Sequence, residues 1–166
     1  MNTRPIRVPN AAAAPALDAE AGAAITRLFE QDLRFQRLLG LRVHTLQSDQ
    51  VACTLDMRDD LIGHAAQQRL HGGVVCAALD SVAGLAIMVA LAVRHADEPL
   101  GKRLLRFAKM GTIDLRVDFL RTATGPAFHA TANVLRLGSR VASTRMELYS
   151  AQGGLLCTGS GAFIVS

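Results

Sequence analysis

Residues 70–93, Leu-His-Gly-Gly-Val-Val-Cys-Ala-Ala-Leu-Asp-Ser-Val-Ala-Gly-Leu-Ala-Ile-Met-Val-Ala-Leu-Ala-Val, form an almost unbroken apolar run that holds one carboxylate, Asp80. A run of about 20 apolar residues is long enough to cross a bilayer. Against a span, six of the twenty residues from Val74 to Val93 are alanine, which is nearly neutral for insertion. Asp80 near the bilayer centre costs a further 2.5–3.5 kcal/mol or so. The run is therefore expected not as a membrane span but as a helix, from about Gly73, apolar on every side and buried in the protein's own core.

The flanking sequence supplies what must surround it. Ile25, Leu28, Phe29, Phe35 and Leu39 share one helical face, Arg27, Glu30, Arg34 and Arg37 lie opposite, and Gly40 ends the run, which predicts a packed surface helix. Leu41–Leu46 and Gln50–Met57, separated by Gln-Ser-Asp, read as a hairpin, and residues 58–70 as a polar connection. After the long helix, Leu100–Lys109 reads as a short basic helix. In Thr112–Arg121 apolar residues alternate with charges, the period-two signature of a strand with one buried face. Three similar runs come after it at about 127–137, 140–150 and 155–165, broken by Thr-Gly-Pro, Leu-Gly-Ser and Gln-Gly-Gly, so the four strands are expected to form an antiparallel meander. The sum is an α+β domain, an antiparallel sheet around one long central helix with an N-terminal helix added.

At 166 residues, half of them hydrophobic, the chain is sized for one domain with a substantial core. Residues 1–21 hold three of the five prolines and the run Ala11–Ala14, and read as a flexible tail before a single domain over 22–166. They lack the apolar segment and cleavage pattern of a secretory signal, and Asp18 and Glu20 weigh against a transit peptide. The net charge of +4 favours anionic partners, but tryptophan is absent and only seven aromatics occur, so base-stacking platforms are poorly supplied. No nucleic acid is expected; a phosphorylated small molecule fits the charge. Cys53, Cys76 and Cys157 are odd in number and widely spaced, which predicts neither a disulfide frame nor a metal site and points to a reducing, cytoplasmic compartment.

On a helical wheel Asp80 shares its face with Gly73, Cys76, Ala77, Ala83 and Gly84, while Val75, Val82, Leu85 and Val89 fill the opposite side. The small face leaves room for another backbone or for a ligand. A carboxylate there has two readings: it is held by the amides of a neighbouring loop, or desolvation raises its pKa into the range of a base. His71-Gly72-Gly73 likewise either turns the chain into the helix or presents first-turn amides to a developing oxyanion. Gly72 and Asp80 lie eight residues apart, about 12 Å along a helix, too far to touch one carbonyl carbon. If both are catalytic, each site combines Gly72 of one subunit with Asp80 of another, which calls for a homodimer with antiparallel helices.

The string Leu-Ile-Gly…Leu-His-Gly-Gly-Val, the aspartate nine residues after the histidine, and Gly-Thr-Ile-Asp-Leu-Arg-Val-Asp-Phe-Leu-Arg resemble the hotdog-fold acyl-CoA thioesterases of the PaaI type. The long link from 94 to 110 and Arg-Met-Glu-Leu-Tyr are similar to the YigI-like medium- and long-chain subgroup. The resemblance covers about residues 33–166. It implies hydrolysis of an acyl-CoA, with no cofactor beyond the coenzyme A of the substrate, by a homodimer or a dimer of dimers. It gives Gly72 the amide that polarises the thioester carbonyl, Asp80 the part of nucleophile or base, and Thr112 the place of a water-orienting hydroxyl. It also implies that His71 and Gly73 stand beside the substrate and that Arg136, Gly138, Ser139 and Arg140 form the turn near the coenzyme's phosphates, a turn that otherwise reads as a solvated hairpin. Gly63-His64-Ala65 replaces the usual Gly-Asn-Pro, so His64 either stands in for the asparagine that assists at the carbonyl or is a surface loop residue; Thr122 replaces a usual proline. Three alternatives remain: a hydratase or dehydratase using His64 with Asp80, a non-catalytic acyl-CoA-binding module, and Cys76 as nucleophile. Lys102, Arg103, Arg106 and Lys109 either attract phosphates or form a solvated helix face.

Overall fold

In the computed structural model, which describes residues 16–166, two helices, α1 (Ala19–Arg27) and α2 (Arg34–Leu39), flank a π-helical turn at Leu28–Asp32. A hairpin comes next, β1 (Arg42–Leu46) and β2 (Val51–Asp56), then two short paired strands, β3 (Ile62–His64) and β4 (Arg69–Leu70). After these lie α3 (Gly72–Arg94), α4 (Leu100–Phe107) and the strands β5 (Gly111–Phe119), β6 (Ala127–Leu137), β7 (Val141–Ser150) and β8 (Leu155–Ile164). Residues 1–15 of the expected tail lie outside the described residues. The helix begins inside the segment read as tail: Asp18 caps α1 and Ala21 is buried.

The apolar run is one uninterrupted helix, and the protein itself surrounds it. Its mean hydropathy over 18 residues is 2.3 and 67% of that window is buried, so its apolarity is spent on the core. Val75, Leu79, Val82, Leu85, Ile87 and Val89 are all buried, each worth about 1.5–3 kcal/mol of transfer out of water. They meet a six-stranded antiparallel sheet of order β1-β2-β6-β7-β8-β5. Strict alternation turns Val51, Cys53 and Leu55 of β2, Phe128, Ala130 and Ala132 of β6, and Ala142, Thr144, Met146 and Leu148 of β7 toward the helix. This is the expected hotdog arrangement.

The meander, however, has three strands rather than four. β6, β7 and β8 are consecutive, whereas β5 pairs with β8 at the far edge and β2 takes the place beside β6. The link over residues 120–126 is too long for a tight hairpin, and it is held along its way. The Leu120 and Arg121 amides donate to Leu156 O at 2.9 and 3.0 Å, and Ala123 O accepts from the Leu70 amide at 2.9 Å. The chain is thereby carried across the start of α3 before it rejoins the sheet.

The N-terminal helix also departs from expectation. At the π turn the Leu33 amide donates to Leu28 O at 2.9 Å, five residues back, and Leu33 itself is extended. The extra residue rotates α2 relative to α1 by about 100°, so Ile25, Phe29 and Leu39 are buried but Phe35, expected on the same face, is 52% exposed. Gly40 caps α2 in the left-handed region at φ 76°. Arg103, read with the basic face of α4, is instead buried at 5% exposure. Its Nη1 donates to Asp18 Oδ2 at 2.6 Å and to Ala92 O at 3.4 Å, tying α4 to the start of α1 and to α3. Asp18 Oδ1 meanwhile accepts from the Ala21 amide at 2.8 Å.

Residues 58–70 are more than a polar connection. The β3–β4 pair leads straight into α3, and the His71 amide donates to Leu61 O at 2.9 Å. A Cβ built on Gly63 would lie 2.8 Å from His71 Cα, so glycine alone fits there. Gly63→Ala is expected to cost about 1–3 kcal/mol by overpacking, read as a lowered denaturant midpoint at unchanged m-value; an unchanged midpoint would mean that the two segments do not press together. The Arg103 guanidinium and the Ala21 amide hold the Asp18 carboxyl below its usual range. The stability it contributes is complete above the unfolded-state value and is lost as pH falls through the lowered folded-state value. Asp18→Asn keeps a capping oxygen but not the charge, so it should melt below wild type near neutrality, with the gap closing in strong acid.

Candidate active site

The start of α3 leaves one amide for a ligand. His71 is extended at φ −65°, ψ 135° and caps the helix, its Nδ1 accepting from the Gly73 amide at 2.9 Å. The Val74 and Val75 amides donate to His71 O at 2.9 and 3.1 Å. Among the described residues the Gly72 amide has no hydrogen-bond partner, and it stands at the positive end of a 23-residue helix. Gly73, a further expected substrate contact, has its amide taken by the cap. Beside Gly72 lies a cavity of about 470 Å³ whose walls include Arg69, Leu70, Val75, Phe119 and Arg121. Phe119 Cζ sits 3.5 Å from where a Cβ on Gly72 would be.

Asp80, two turns on, is half-buried and accepts from Thr112 Oγ1 at 2.8 Å. The structure thus joins two of the expected catalytic residues from opposite ends of the motif. The carboxylate borders a separate cavity of about 160 Å³, walled by Phe29, Met88, Phe107, Met110 and Phe163, with Gly84 one turn further along the helix. A Cβ on Gly84 would meet nothing within 4 Å. The wall is apolar apart from Asp80, Ser81, Thr112 and Gln36, so a hydrocarbon chain and a polar reacting centre can lie side by side.

Gly72 and Asp80 therefore face different cavities of one chain, as their separation along α3 requires. His64, exposed on β3, lines neither cavity. The expected phosphate turn is the β6–β7 turn, where the Gly138 amide donates to Val141 O at 2.9 Å. Arg94 Nη1 donates to Gly138 O at 2.8 Å, and its Nη2 to Leu137 O. Gly138 and Ser139 line a third cavity, while Arg136 and Arg140 are exposed outside it. Burial pushes the Cys53 thiol up to about 12 and the Cys157 thiol up to about 11, far from a nucleophile's range. Among the described residues no three His, Cys, Asp or Glu side chains gather as a metal site would need.

Two sets of lining residues are not apparent from sequence pattern. Arg69, Phe119 and Arg121 surround Gly72, and their only signal is position: Arg69 sits three residues before it and the other two close the second motif. Phe29, Phe107 and Phe163 come from three distant segments to wall the Asp80 cavity, which no local period reports.

Residues 67–157 match the family model described as the thioesterase superfamily. The medium/long-chain acyl-CoA thioesterase YigI of Escherichia coli (strain K12) is 33% identical over 141 residues, 85% of this chain and 91% of that protein. A crystal structure of a Shewanella oneidensis protein related to the thioesterase superfamily superposes with a TM-score of 0.83 at 38% identity, covering 89% of this chain and 97% of that one. Thioesterase superfamily member 2 of Mus musculus shares the fold, with a TM-score of 0.68 at 17% identity over 87% of this chain and 96% of its own. With a helix whose single carboxylate meets a strand hydroxyl and whose first amide is left open, on this sheet and with these relatives, the chain belongs to the thioesterase superfamily.

Proposed function

We propose that the chain hydrolyses medium- and long-chain acyl-CoA thioesters at a site shared by two copies, each site taking Asp80 and Thr112 from one subunit and the Gly72 amide from the other. The observation that carries this reading is the layout of β5. Thr112, bonded to Asp80, stands at one end of the strand, and Phe119, packed on Gly72, stands at the other, about 23 Å away along it. β5 is an edge strand whose outer side has no partner among the described residues, and Ile113, Phe119 and the adjoining Leu120 are 54–56% exposed. If β5 pairs antiparallel with β5 of a second copy, the Thr112 end of each meets the Phe119 end of the other. Asp80 then faces the Gly72 amide of the second copy, and the two half-sites close into one.

In that site the thioester carbonyl oxygen accepts from the Gly72 amide, which stabilises the negative charge that builds as the carbonyl carbon becomes tetrahedral. Asp80, oriented by the Thr112 hydroxyl, takes a proton from water as the water oxygen bonds to the carbonyl carbon, or itself bonds to that carbon to give a mixed anhydride that water then cleaves. The C–S bond breaks, the acid is released, and the coenzyme leaves as a thiol after taking up the proton. The acyl chain lies against Phe29, Met88, Phe107, Met110 and Phe163, and YigI as a relative supports the chain-length class. The turn bearing Arg136, Gly138, Ser139 and Arg140 lies toward the coenzyme's phosphates. Three free thiols suit a cytoplasmic setting.

Asp80→Asn should lower kcat by about 10²–10⁴-fold, the range of a lost general base, with acyl-CoA binding retained; thiol release measured across acyl-CoAs of increasing length reads it. No thiol release by wild type from any acyl-CoA would end the hydrolase reading, and hydration of a crotonyl thioester in its place would favour the hydratase. Gly72→Pro removes the amide hydrogen at the first helical position, where proline is tolerated and the extended His71 suits it; kcat should fall about 10²–10³-fold. Mixing the two variants under subunit exchange should restore about a quarter of wild-type activity, because half the dimers are mixed and each holds one intact site. A mixture no more active than its components would show that the two residues do not work across subunits.

A further inference from the structure

Two polar side chains in the wall of the Asp80 cavity are left without a partner. Ser81, the next residue on α3, is 5% exposed, yet its hydroxyl has no hydrogen-bond partner among the described residues. Arg103 Nε is the single fully enclosed side-chain nitrogen or oxygen without a partner among those residues, so Ser81 Oγ is open to the cavity it lines. Gln36 reaches the same cavity from α2, and its carboxamide also has no partner among the described residues. Gln36 and Leu39, three residues apart, form the inward side of α2, while Phe35 and Leu38 point outward at 52% and 68% exposure. The helix thus turns two large apolar side chains to solvent and a carboxamide to the cavity, the reverse of what burial of apolar area selects. The Gly40 and Leu41 amides, donating to Gln36 O at 3.0 and 3.2 Å, fix the backbone that carries it.

We infer that Ser81 and Gln36 recognise a hydroxyl on the β-carbon of the acyl chain, so that the enzyme prefers β-hydroxyacyl thioesters to saturated ones of the same length. The inference rests on the hydrolase reading above and narrows its substrate. Before substrate binds, water can serve both groups. A saturated chain lying on Met88, Phe107 and Phe163 displaces that water and offers no hydrogen bond in return, which strands a hydroxyl and a carboxamide in apolar surroundings. A site built around such groups rejects the analogue lacking their partner far more strongly than an apolar pocket discriminates one methylene. A substrate hydroxyl satisfies both at once, accepting from Ser81 Oγ and donating to Gln36 Oε1, whereas a keto oxygen only accepts and leaves Gln36 Oε1 unpaired. The position along the chain follows from Ser81. Its Cα is about 3.8 Å from that of Asp80, and Asp80 acts at the carbonyl carbon, so the hydroxyl lies near that end of the chain. Ser81 is turned about 100° from Asp80 around α3, which takes its reach past the α-carbon, beside the reacting centre, to the β-carbon.

The test compares decanoyl-CoA, each enantiomer of β-hydroxydecanoyl-CoA, and ω-hydroxydecanoyl-CoA as substrates of wild type and of the double variant Ser81→Ala/Gln36→Leu. For wild type, kcat/KM is expected to be about tenfold higher for the preferred β-hydroxy enantiomer than for the other two thioesters, and the double variant should bring that ratio to about one. Each ratio is taken within one protein, so a smaller folded fraction cancels from it. Should the double variant fail to fold, Gln36→Leu alone is expected to lower the ratio about threefold. A wild-type ratio of one or less, or a ratio that survives in the variants, overturns the inference while leaving the hydrolase reading standing. A kcat that falls equally on all substrates overturns it by assigning the two groups to the hydrolytic water, and an equal preference for the ω-hydroxy thioester overturns it as a general tolerance of polar chains. If wild type hydrolyses no thioester, titration calorimetry with decanoyl-CoA and β-hydroxydecanoyl-CoA decides: tighter binding of the β-hydroxy thioester that the double variant loses supports the site, and equal or absent binding overturns it.

Discussion

A 23-residue helix that is apolar on nearly every side must be enclosed, and the rest of the fold answers that requirement. A single sheet covers only part of a cylinder, so the strands facing α3 carry Ala130, Ala132 and Ala142 among larger residues and the sheet comes close. The remaining surface is closed by α1, the π turn and α4, each presenting one or two buried aromatic or aliphatic side chains. The ion pair of Arg103 with Asp18 fastens two of these covers to each other and to the helix. What stays open along α3 is the part bordering the edge strand β5, and Asp80 lies there.

Backbone accounting then shapes the start of α3. A helix always leaves its first amides without intrahelical acceptors, and here Leu61 O takes that of His71, the His71 ring that of Gly73 and the His71 carbonyl that of Val74. The amide that remains belongs to the residue with no side chain to shield it. Two turns along α3, a carboxylate in apolar surroundings is held by one hydroxyl from a strand rather than by a set of loop amides. That arrangement orients the acid without occupying both of its oxygens.

How much of this the sequence discloses depends on the range of the interaction. The long helix, the hairpin and the period-two strands are local patterns, and their boundaries fall within a few residues of expectation. Gly72 and Asp80 stand out because each is the wrong residue for a purely apolar helix, and a fixed rise per residue already separates them. Local pattern does not report which strand lies at the sheet's edge, because an alternating strand looks the same beside any neighbour; that is why β5 reads as part of a meander it does not join. Nor does it reveal Arg103 as buried, since its partner Asp18 is 85 residues away and its neighbours Lys102 and Arg106 share the same charge. The rotation of Phe35 out of the core needs one added residue in a turn, invisible to a wheel drawn at a constant angle.

Gly84 has a consequence of its own. It lies one turn past the carboxylate on the most buried element of the protein, yet the volume above its Cα is empty. At the buried positions of α3, such as Ala78, Ala83 and Ala86, a larger side chain would have to displace well-packed neighbours, and stability would resist the change. At Gly84 packing within the chain offers no such resistance. The depth of the space beside Asp80 is thus adjustable by a single substitution, so the volume of this cavity is free to drift among descendants while the fold stays constant.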